Sequence, residues 1–461
     1  RLSVSPSLRL SVSPSLRLCV SLCLNRFESV SHLFPPSFPS SSSRSTHITG
    51  AKHVFGIGVL ATAVLTLLIP VTACNGDWIC PVRYANTFSS NETALITPAS
   101  TTSIEVLRVF MGVFESVTYP ALMALLAKWA PPAERSRIVA LCFSGAQIGT
   151  AVAFPLAAYI STSGAGAGHN NSLVSGWPGV FYVFGGIGCV WFVGWCLFVY
   201  SSPEDHPRIS AAEREYIVSR LPKNDQDQGD DRVRANGNNT RKMPLGTFLR
   251  NVFTNLPALA VFVAHFTNNW ALYLMLTWMP NYMEKMLDFD LKSSGLCFVP
   301  YAAMGALSIG AGALADALIL RRGWRPRHAR LLMQLSGNLL PAAAFVVLGF
   351  VTDKWVAFGV MIVAVASSGM SYSGYSPNVL EICPRYAGLF YGVSNTLATI
   401  PGIVAPALAG EMVGTPPTRG EWQGVFAIAA GMYVVGDVFY VCFASSEPQE
   451  SLGGGGGGGQ K

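Results

Sequence analysis

Charged residues are scarce in this chain. They make up 12% of its 461 residues, about half the share typical of a soluble domain, whereas hydrophobic residues make up 51%. The mean hydropathy of +0.39 agrees with that balance. A composition so poor in charge excludes an ordinary soluble protein and indicates a polytopic membrane protein. The formal net charge of +6 does not indicate nucleic-acid binding, because the basic residues lie in loops on one side of the apolar runs.

Metal-binding and catalytic motifs are also missing. No Cys/His spacing typical of a zinc site occurs, and the loops carry no nucleophile-elbow, metal or phosphate-loop pattern. We therefore expect no metal and no cofactor, and a membrane enzyme ranks third among the possible functions. Five of the ten cysteines lie in apolar runs, where a free thiol packs as a small hydrophobic group. Only Cys74 and Cys80 share a non-cytosolic loop, in which a disulfide could form.

Ten apolar runs are long enough to cross a bilayer, for which a helix needs about 20 residues. Four of them precede a polar central loop and six follow it. The predicted runs are Val54–Ala73, Ile104–Ala127, Arg137–Ser161, Gly179–Tyr200, Asn255–Pro280, Ser294–Asp316, Leu331–Val351, Trp355–Pro377, Arg385–Gly410 and Gln423–Ser445.

Basic residues in the loops predict the orientation of these runs, because cytosolic loops carry the excess of Lys and Arg. With the central loop in the cytosol, most basic residues fall on that side, including the cluster from Arg321 to Arg330. The glycosylation sequons at Asn91 and Asn170 then fall on the opposite side, and the sequon at Asn238 stays unmodified in the cytosol. Both termini are predicted to be cytosolic.

The domain organisation follows from the runs and from composition. The central loop contains Ser210 and Glu213 in a capping-box pattern, which predicts a short helix from about Ala211 to Leu221. The predicted domains are an N-terminal tail over 1–51, a four-helix bundle over 52–200, the cytosolic loop over 201–254, a six-helix bundle over 255–447 and a flexible Gly-rich tail over 448–461.

The N-terminal tail contains the octapeptide RLSVSPSL twice in tandem and is rich in Ser and Arg. Such a composition suits an organellar transit peptide. It equally suits a disordered low-complexity segment or mistranslated repeat DNA, and the sequence leaves these alternatives open.

Two ionisable residues, Arg108 and Glu115, interrupt the second apolar run. Seven residues at 100° each amount to about 700°, so both side chains leave the helix on one face, about 10 Å apart along its axis. A charge in hydrocarbon costs several kcal/mol, so such residues usually face a bundle interior or a water-filled path and mark a solute or proton pathway. The alternatives are a structural ion pair between helices and an arginine that reaches to the membrane surface.

Four segments resemble the solute carrier family that contains sialin, the vesicular glutamate transporters and the sodium–phosphate cotransporters. The segments are VLRVFMGVFESVTYPALMALLAKWAPPAERSRIVALCFSGAQIGTAVAFPLA, GWPGVFYVFGGIGCVWFVGW, NVLEICPRYAGLFYGVSNTLATIPGIVAPALAG and EWQGVFAIAAG. They occur in family order, and the likeness extends over nearly all of residues 52–447. The resemblance implies the fold of the major facilitator superfamily, an all-α membrane protein with two six-helix halves around a central cavity.

The chain departs from this family in three places. Its first run, KHVFGIGVLATAVLTLLIPVTA, is similar to the third helix of the family, so we expect about ten helices (four and six) instead of twelve. Sialin has His where this chain has Met123, and the vesicular glutamate transporters have Arg in the seventh helix, where this chain has Asn268 and Asn269. Specificity for glutamate is therefore not supported, and specificity for sialic acid is weakened.

The same resemblance suggests roles for several side chains. Substrate binding is expected to involve Arg108, Tyr119, Asn268 and Asn269, and Glu115 is the candidate for proton coupling. GALADALILRR matches the loop signature of the superfamily, in which Asp316 with the nearby Arg321 would form a structural gate. His265 is expected to be a satisfied histidine within the bundle, and Asp437 to hold helices together.

Two hypotheses of different classes follow. The first is a secondary transporter of organic or inorganic anions, of carboxylate or phosphate type, coupled to H⁺ or Na⁺ and working by alternating access. The second is a non-transporting membrane fragment or scaffold, because two helices are expected to be absent. The partners expected are a small anionic solute, the coupling ion and the lipid bilayer, in an endomembrane or vesicle membrane, the plasma membrane or a plastid envelope.

Overall fold

A computed structural model describes residues 50–73, 98–162, 176–221, 243–289, 296–414 and 416–453. Every regular element in these ranges is helical. The helices are α1 (Ala51–Ala73), α2 (Pro98–Glu115), α3 (Thr118–Trp129), α4 (Arg135–Thr162), α5 (Gly176–Phe198), α6 (Ala211–Arg220), α7 (Leu245–Thr254), α8 (Leu256–Lys285), α9 (Phe298–Arg322), α10 (Pro326–Leu348), α11 (Lys354–Ser368), α12 (Tyr375–Ile382), α13 (Ala387–Met412) and α14 (Arg419–Phe443). Short 3₁₀ turns cover Pro132–Glu134, Gly369–Ser373 and Glu450–Leu452.

Ten helical spans in the described residues are long and apolar enough to cross a membrane. Each corresponds to one predicted run, so the expected all-α membrane fold is confirmed. The short helix in the central loop is also confirmed: α6 begins after Ser210, whose hydroxyl accepts a hydrogen bond from the backbone amide of Glu213 at 3.2 Å. The predicted features at Cys74, Cys80, Asn91, Asn170 and Asn238 lie outside the described residues, as do residues 1–49 and 454–461 of the two tails. The first part of the tail that was predicted to be flexible instead forms the turn Glu450–Leu452, in which Leu452 is buried.

Two of the ten spans are interrupted, although the sequence analysis treated each as continuous. The span Thr102–Trp129 consists of α2 and α3 with a turn at Ser116 and Val117. The span Lys354–Ile382 consists of α11 and α12 joined by the 3₁₀ turn Gly369–Ser373. Discontinuous helices in transporters expose backbone groups that bind solutes and ions, so both breaks bear on function.

The chain divides into two compact units. The first comprises Arg1–Thr118 and Phe181–Phe198, and in it α1 packs against α2 and α5. Phe55 of α1 stacks on Trp195 of α5 with the ring centroids 4.5 Å apart, and the Trp195 indole donates a hydrogen bond to the backbone carbonyl of Lys52 at 2.9 Å. Aromatic stacking therefore joins these helices near the N-terminal end of α1.

The second unit comprises Tyr119–Val180 and Val199–Lys461. Its helices bury a continuous apolar core, in which α8 packs on α13 and α14, and α10 packs on α11 and α14. α4 lies along α9, and a Cβ at Gly312 would meet the Ala140 Cβ at 2.6 Å and the Ser136 carbonyl oxygen at 2.9 Å. A glycine at this position allows the two backbones to approach closely, as small residues do between membrane helices.

Two of the free cysteines in the described residues are buried. Cys297 and Cys383 lie just outside the membrane spans and are fully covered. Burial raises the pKa of the Cys297 thiol to about 11 and that of the Cys383 thiol to about 12, so both stay protonated at neutral pH. They pack as small hydrophobic side chains.

Candidate functional site

The charged pair predicted from the sequence lies on α2, in the first unit. The side chains of Arg108 and Glu115 are both exposed there. The positive charge of Arg108 acts on the Glu115 carboxyl through space, but the ion pairs found among the described residues all lie elsewhere. Neither side chain is engaged in an ion pair within the described part of the chain.

The helix breaks directly after Glu115. α2 ends at that residue, the Ser116 amide donates to the Gly112 carbonyl at 3.0 Å, and the Ser116 hydroxyl donates to the Val113 carbonyl at 2.8 Å. Pro120 follows at the start of α3, and its missing N–H prevents a regular continuation of the hydrogen-bond ladder. The last carbonyls of α2 therefore lie beside the carboxyl, at the negative end of the helix dipole.

A polar cluster in the second unit contains two other predicted residues, His265 and Asn268. His265 is buried, and its Nδ1 lies 2.9 Å from the Ser394 hydroxyl of α13. Asn268 is also buried, and its Oδ1 accepts a hydrogen bond from the Ser371 hydroxyl at 2.9 Å. The Asn268 amide nitrogen has no hydrogen-bond partner in the described residues, so both N–H donors of this side chain are unpaired.

Aromatic rings line this polar cluster. Tyr119 stacks on Phe143 with centroids 5.4 Å apart, and Phe143 stacks on Tyr372 at 5.2 Å. Tyr119 also contacts Tyr391, whose ring lies 5.3 Å from that of His265. The structure thus brings Tyr119 and Asn268 into one aromatic and polar cluster, the tyrosine cluster hereafter.

Asn269 points in another direction. Its amide donates to the backbone carbonyl of Ala398 at 2.9 Å, which ties α8 to α13. The two adjacent asparagines that the sequence analysis had grouped therefore have different partners: Asn268 accepts from Ser371 and Asn269 donates to Ala398.

Asp316 binds the first turn of α4. Its carboxylate oxygens accept hydrogen bonds from the backbone amides of Ser136 at 3.2 Å and Arg137 at 2.8 Å. These amides belong to the start of α4 and have no partner within the helix, so Asp316 caps α4 from a different helix. The predicted companion Arg321 is exposed and forms no ion pair in the described part of the chain.

Arg330 is the basic residue that the structure places beside Asp316. It is 1% exposed and binds Glu381 Oε1 at 2.6 Å, the Ser136 hydroxyl at 2.6 Å and the Ser373 carbonyl at 3.1 Å. A buried ion pair needs such further hydrogen bonds to offset the cost of desolvation. We call the residues Ser136, Asp316, Arg330 and Glu381 the helix-end clasp, which joins α4 to α9, α10 and α12.

Sequence reasoning missed both members of this ion pair. Arg330 had been counted with the basic loop residues, but α10 begins at Pro326 and therefore contains it. Glu381 offered a signal that was not used, because it is a lone acid at the end of the apolar segment YSPNVLEI. An isolated acid in such a run predicts a buried partner of opposite charge.

Comparisons with known proteins agree with this architecture. The profile of the Major Facilitator Superfamily matches residues 42–406. Sialin of Homo sapiens is 36% identical over 403 residues, which cover 87% of this chain and 71% of sialin. Vesicular glutamate transporter 1 of Bos taurus is 35% identical over 404 residues, covering 87% of this chain and 63% of the relative.

Solved structures show the same fold. A XylE variant with two introduced tryptophans has a TM-score of 0.62 at 16% identity and covers 96% of this chain and 90% of its own. The D-xylose–proton symporter has a TM-score of 0.57 at 14% identity, with coverage of 94% and 88%. The resemblance noted in the sequence is thereby confirmed. This integral multi-pass membrane protein belongs to the major facilitator superfamily and, within it, to the solute carrier family that contains sialin and the vesicular glutamate transporters.

Proposed function

We propose that the protein is a secondary active transporter of small organic or inorganic anions, coupled to protons. Family membership supports a transporter, and the vesicular glutamate transporters among its relatives are named for an anionic solute. The observation that carries the proposal is the pair Arg108 and Glu115, which share one face of α2 and are exposed there without a direct partner among the described residues.

Arg108 is the anion-binding residue. Its guanidinium stays charged and offers a planar fork of N–H donors that matches a carboxylate or a phosphate. A transporter must bind its solute without holding it fast, so a cation that is not already neutralised by a close carboxylate suits the task. Lys lacks this fork, so we expect Arg108→Lys to impair anion binding.

Glu115 is the proton carrier. It is the last residue of α2, next to carbonyls whose helical partners are removed by the break. A carboxylate beside such carbonyls forms a negative site that favours a cation. The distance from Arg108 leaves room for an anion to compete for the guanidinium when Glu115 is protonated.

The roles of the remaining predicted residues are part of the same proposal. Tyr119 and Asn268 lie in the tyrosine cluster, where the unpaired amide donors of Asn268 and the surrounding hydroxyls suit an oxygen-rich solute. Asn269 contributes indirectly by fixing α8 on α13. Asp316 acts as a gate residue through the first turn of α4, and Arg321 has no assigned contact in this gate.

The anion role is tested by uptake of labelled glutamate, a sialic acid and inorganic phosphate into vesicles that contain the purified full chain. We expect uptake of at least one anion by the wild type, loss in Arg108→Ala and strong impairment in Arg108→Lys. Arg214→Ala, on the exposed face of α6, is the matched control and should keep the wild-type rate. Wild-type rates in Arg108→Ala would refute the assignment, and absence of any uptake by the wild type would favour the non-transporting alternative.

The proton role is tested by comparing two transport modes in Glu115→Gln. Uptake driven by a pH gradient should be abolished, whereas exchange of labelled for unlabelled substrate should persist in part, because exchange moves no net proton. Both modes are measured in vesicles that hold equal amounts of folded protein. An equal loss of the two would make Glu115 a structural residue, and uptake driven by Na⁺ alone would replace the proton with sodium.

A further inference from the structure

A second carboxyl group, that of Asp437, is buried in the middle of the second unit and has no role in the function proposed above. The side chain lies on α14 and is 3% exposed. Its Oδ1 accepts a hydrogen bond from the Asn338 amide of α10 at 2.8 Å. The amide of Gln334, one turn earlier on α10, lies next to the same carboxyl. A polar trio of Asp437, Asn338 and Gln334 thus sits inside an otherwise apolar contact between two membrane helices.

Several polar atoms of this trio lack hydrogen-bond partners. Asp437 Oδ2, Asn338 Oδ1, Gln334 Oε1 and Gln334 Nε2 are all buried and unpaired in the described residues. An ionised carboxylate can only accept, whereas a carboxylic acid supplies one O–H donor. A proton on Asp437 would therefore add one O–H donor to this group, and above all it would avoid a buried charge that no cation neutralises.

No basic residue in the described part of the chain neutralises Asp437. Arg330, the nearest cation along the same face of α10, is bound to Glu381 in the helix-end clasp. On α14 the neighbouring titratable groups are the phenols of Tyr433 and Tyr440, of which Tyr440 accepts a hydrogen bond from the Asn378 amide. From α8 the neutral side chain of Thr267 lies against Gly436, and no charge from α8, α12 or α13 acts on the carboxyl among the described residues.

We propose that Asp437 is a second proton-binding site of this transporter, with Asn338 and Gln334 as its positioning residues. The reaction is the reversible binding of one proton to carboxylate oxygen Oδ2, which interconverts the charged and the neutral carboxyl. The proposal deepens the proposed function by adding a proton site in a different unit from Glu115. Its link to transport rests on that proposed function.

The contacts of α10 explain how a proton at Asp437 could influence transport. Gln334 packs against Gly374, where an added Cβ would meet the Gln334 Cβ and Oε1 at 2.9 Å. Gly374 follows the 3₁₀ turn Gly369–Ser373, whose Ser371 donates to Asn268 in the tyrosine cluster. A change in the hydrogen bonds of Gln334 would therefore alter its packing against the broken helix. Ser371 of that helix is hydrogen-bonded to Asn268 of α8.

Infrared difference spectroscopy of the purified full chain in lipid tests the proton site without requiring transport. At neutral pH the wild type should show a carboxylic-acid C=O band from a buried group that is lost in Asp437→Asn. Asp353→Asn removes an exposed carboxylate at the start of α11 and should leave the band unchanged. In Asn338→Leu the carboxyl remains but loses its amide donor, so the band should shift. This second variant decides the matter if Asp437→Asn does not fold.

A band unchanged in Asp437→Asn, or unshifted in Asn338→Leu, would overturn the proposal. Thermal stabilisation by Na⁺ in the wild type that disappears in Asp437→Asn would also overturn it, because the three oxygens would then hold sodium. In vesicles, Asp437→Asn should lower uptake driven by a pH gradient at least tenfold and leave exchange in place, and unchanged uptake would refute the link to transport. If the wild type transports no anion at all, the proposed function fails, but the infrared band still decides the proton site.

Discussion

Arginine–glutamate pairs occur in both units of this protein, and they differ in what surrounds them. Arg330 and Glu381 in the second unit are buried and lie 2.6 Å apart, and Arg330 also donates to the Ser136 hydroxyl and the Ser373 carbonyl. Arg108 and Glu115 in the first unit are exposed and do not pair directly. A buried arginine and glutamate that bind each other directly support the structure, whereas an arginine and a glutamate without a direct partner can bind a solute and a proton.

The first prediction tests this difference between the two pairs by removing the buried arginine, Arg330. Arg330→Ala removes the direct ion-pair partner of the buried Glu381 carboxylate and leaves only the charge of Arg135 near it, which should lower the free energy of unfolding by about 3–5 kcal/mol. Arg137→Ala is the matched control: its ion pair with Glu134 is also short, at 2.9 Å, but the arginine side chain is 55% exposed. Loss of that exposed pair should cost less than about 1 kcal/mol. Thermal unfolding in detergent measures both, and similar losses would show that burial does not distinguish the pairs.

The second prediction concerns the close contact between α10 and the 3₁₀ turn Gly369–Ser373 of the broken helix. A Cβ at Gly337 on α10 would collide with the backbone nitrogen of Ser371 in the 3₁₀ turn. Gly337→Ala should therefore cost about 1–3 kcal/mol through overpacking. Gly359→Ala in α11, where a Cβ meets nothing within 4 Å, serves as the control. It should be neutral or stabilising by up to about 1 kcal/mol, since Ala favours a helix over Gly. Equal melting temperatures for the two variants would contradict the contact.

The third prediction tests Asp316 as a cap that acts between helices. Asp316→Ala leaves the Ser136 and Arg137 amides without their acceptor and should cost about 0.5–2 kcal/mol, as loss of a helix cap does. Asp316→Asn retains one acceptor oxygen and should fall between Ala and the wild type. Arg321→Ala removes an exposed charge nearby and should change little. The measurement is amide hydrogen exchange in the first turn of α4. Protection that survives in Asp316→Ala would show that Asp316 does not cap α4 and would refute its role as a gate residue.

The sequence predicted the ten spans because run length and apolar composition are local properties. It did not predict the two breaks, although Pro120 after Glu115 and the Ser- and Gly-rich segment before Pro377 were visible signals. Pairing between distant helices was beyond reach. Nothing in the neighbourhood of Asp437 specifies Asn338, and Arg330 resembles any other basic residue at the end of a helix until Glu381 is placed beside it.

The smallest expected effect on stability is the sharpest test of the comparison. Arg108→Ala removes a charge that has no direct partner in the described residues, so its effect on unfolding should stay within about 0.5 kcal/mol, as for other exposed positions. Its effect on anion uptake should nevertheless be complete, whereas Arg330→Ala should lose uptake only in proportion to the protein that no longer folds. The test is uptake per folded molecule plotted against melting temperature for Arg108→Ala, Arg330→Ala and the control Arg137→Ala. If Arg108→Ala falls on the line through the other two, Arg108 supports the structure in the same way as Arg330, and the two pairs are not different in kind.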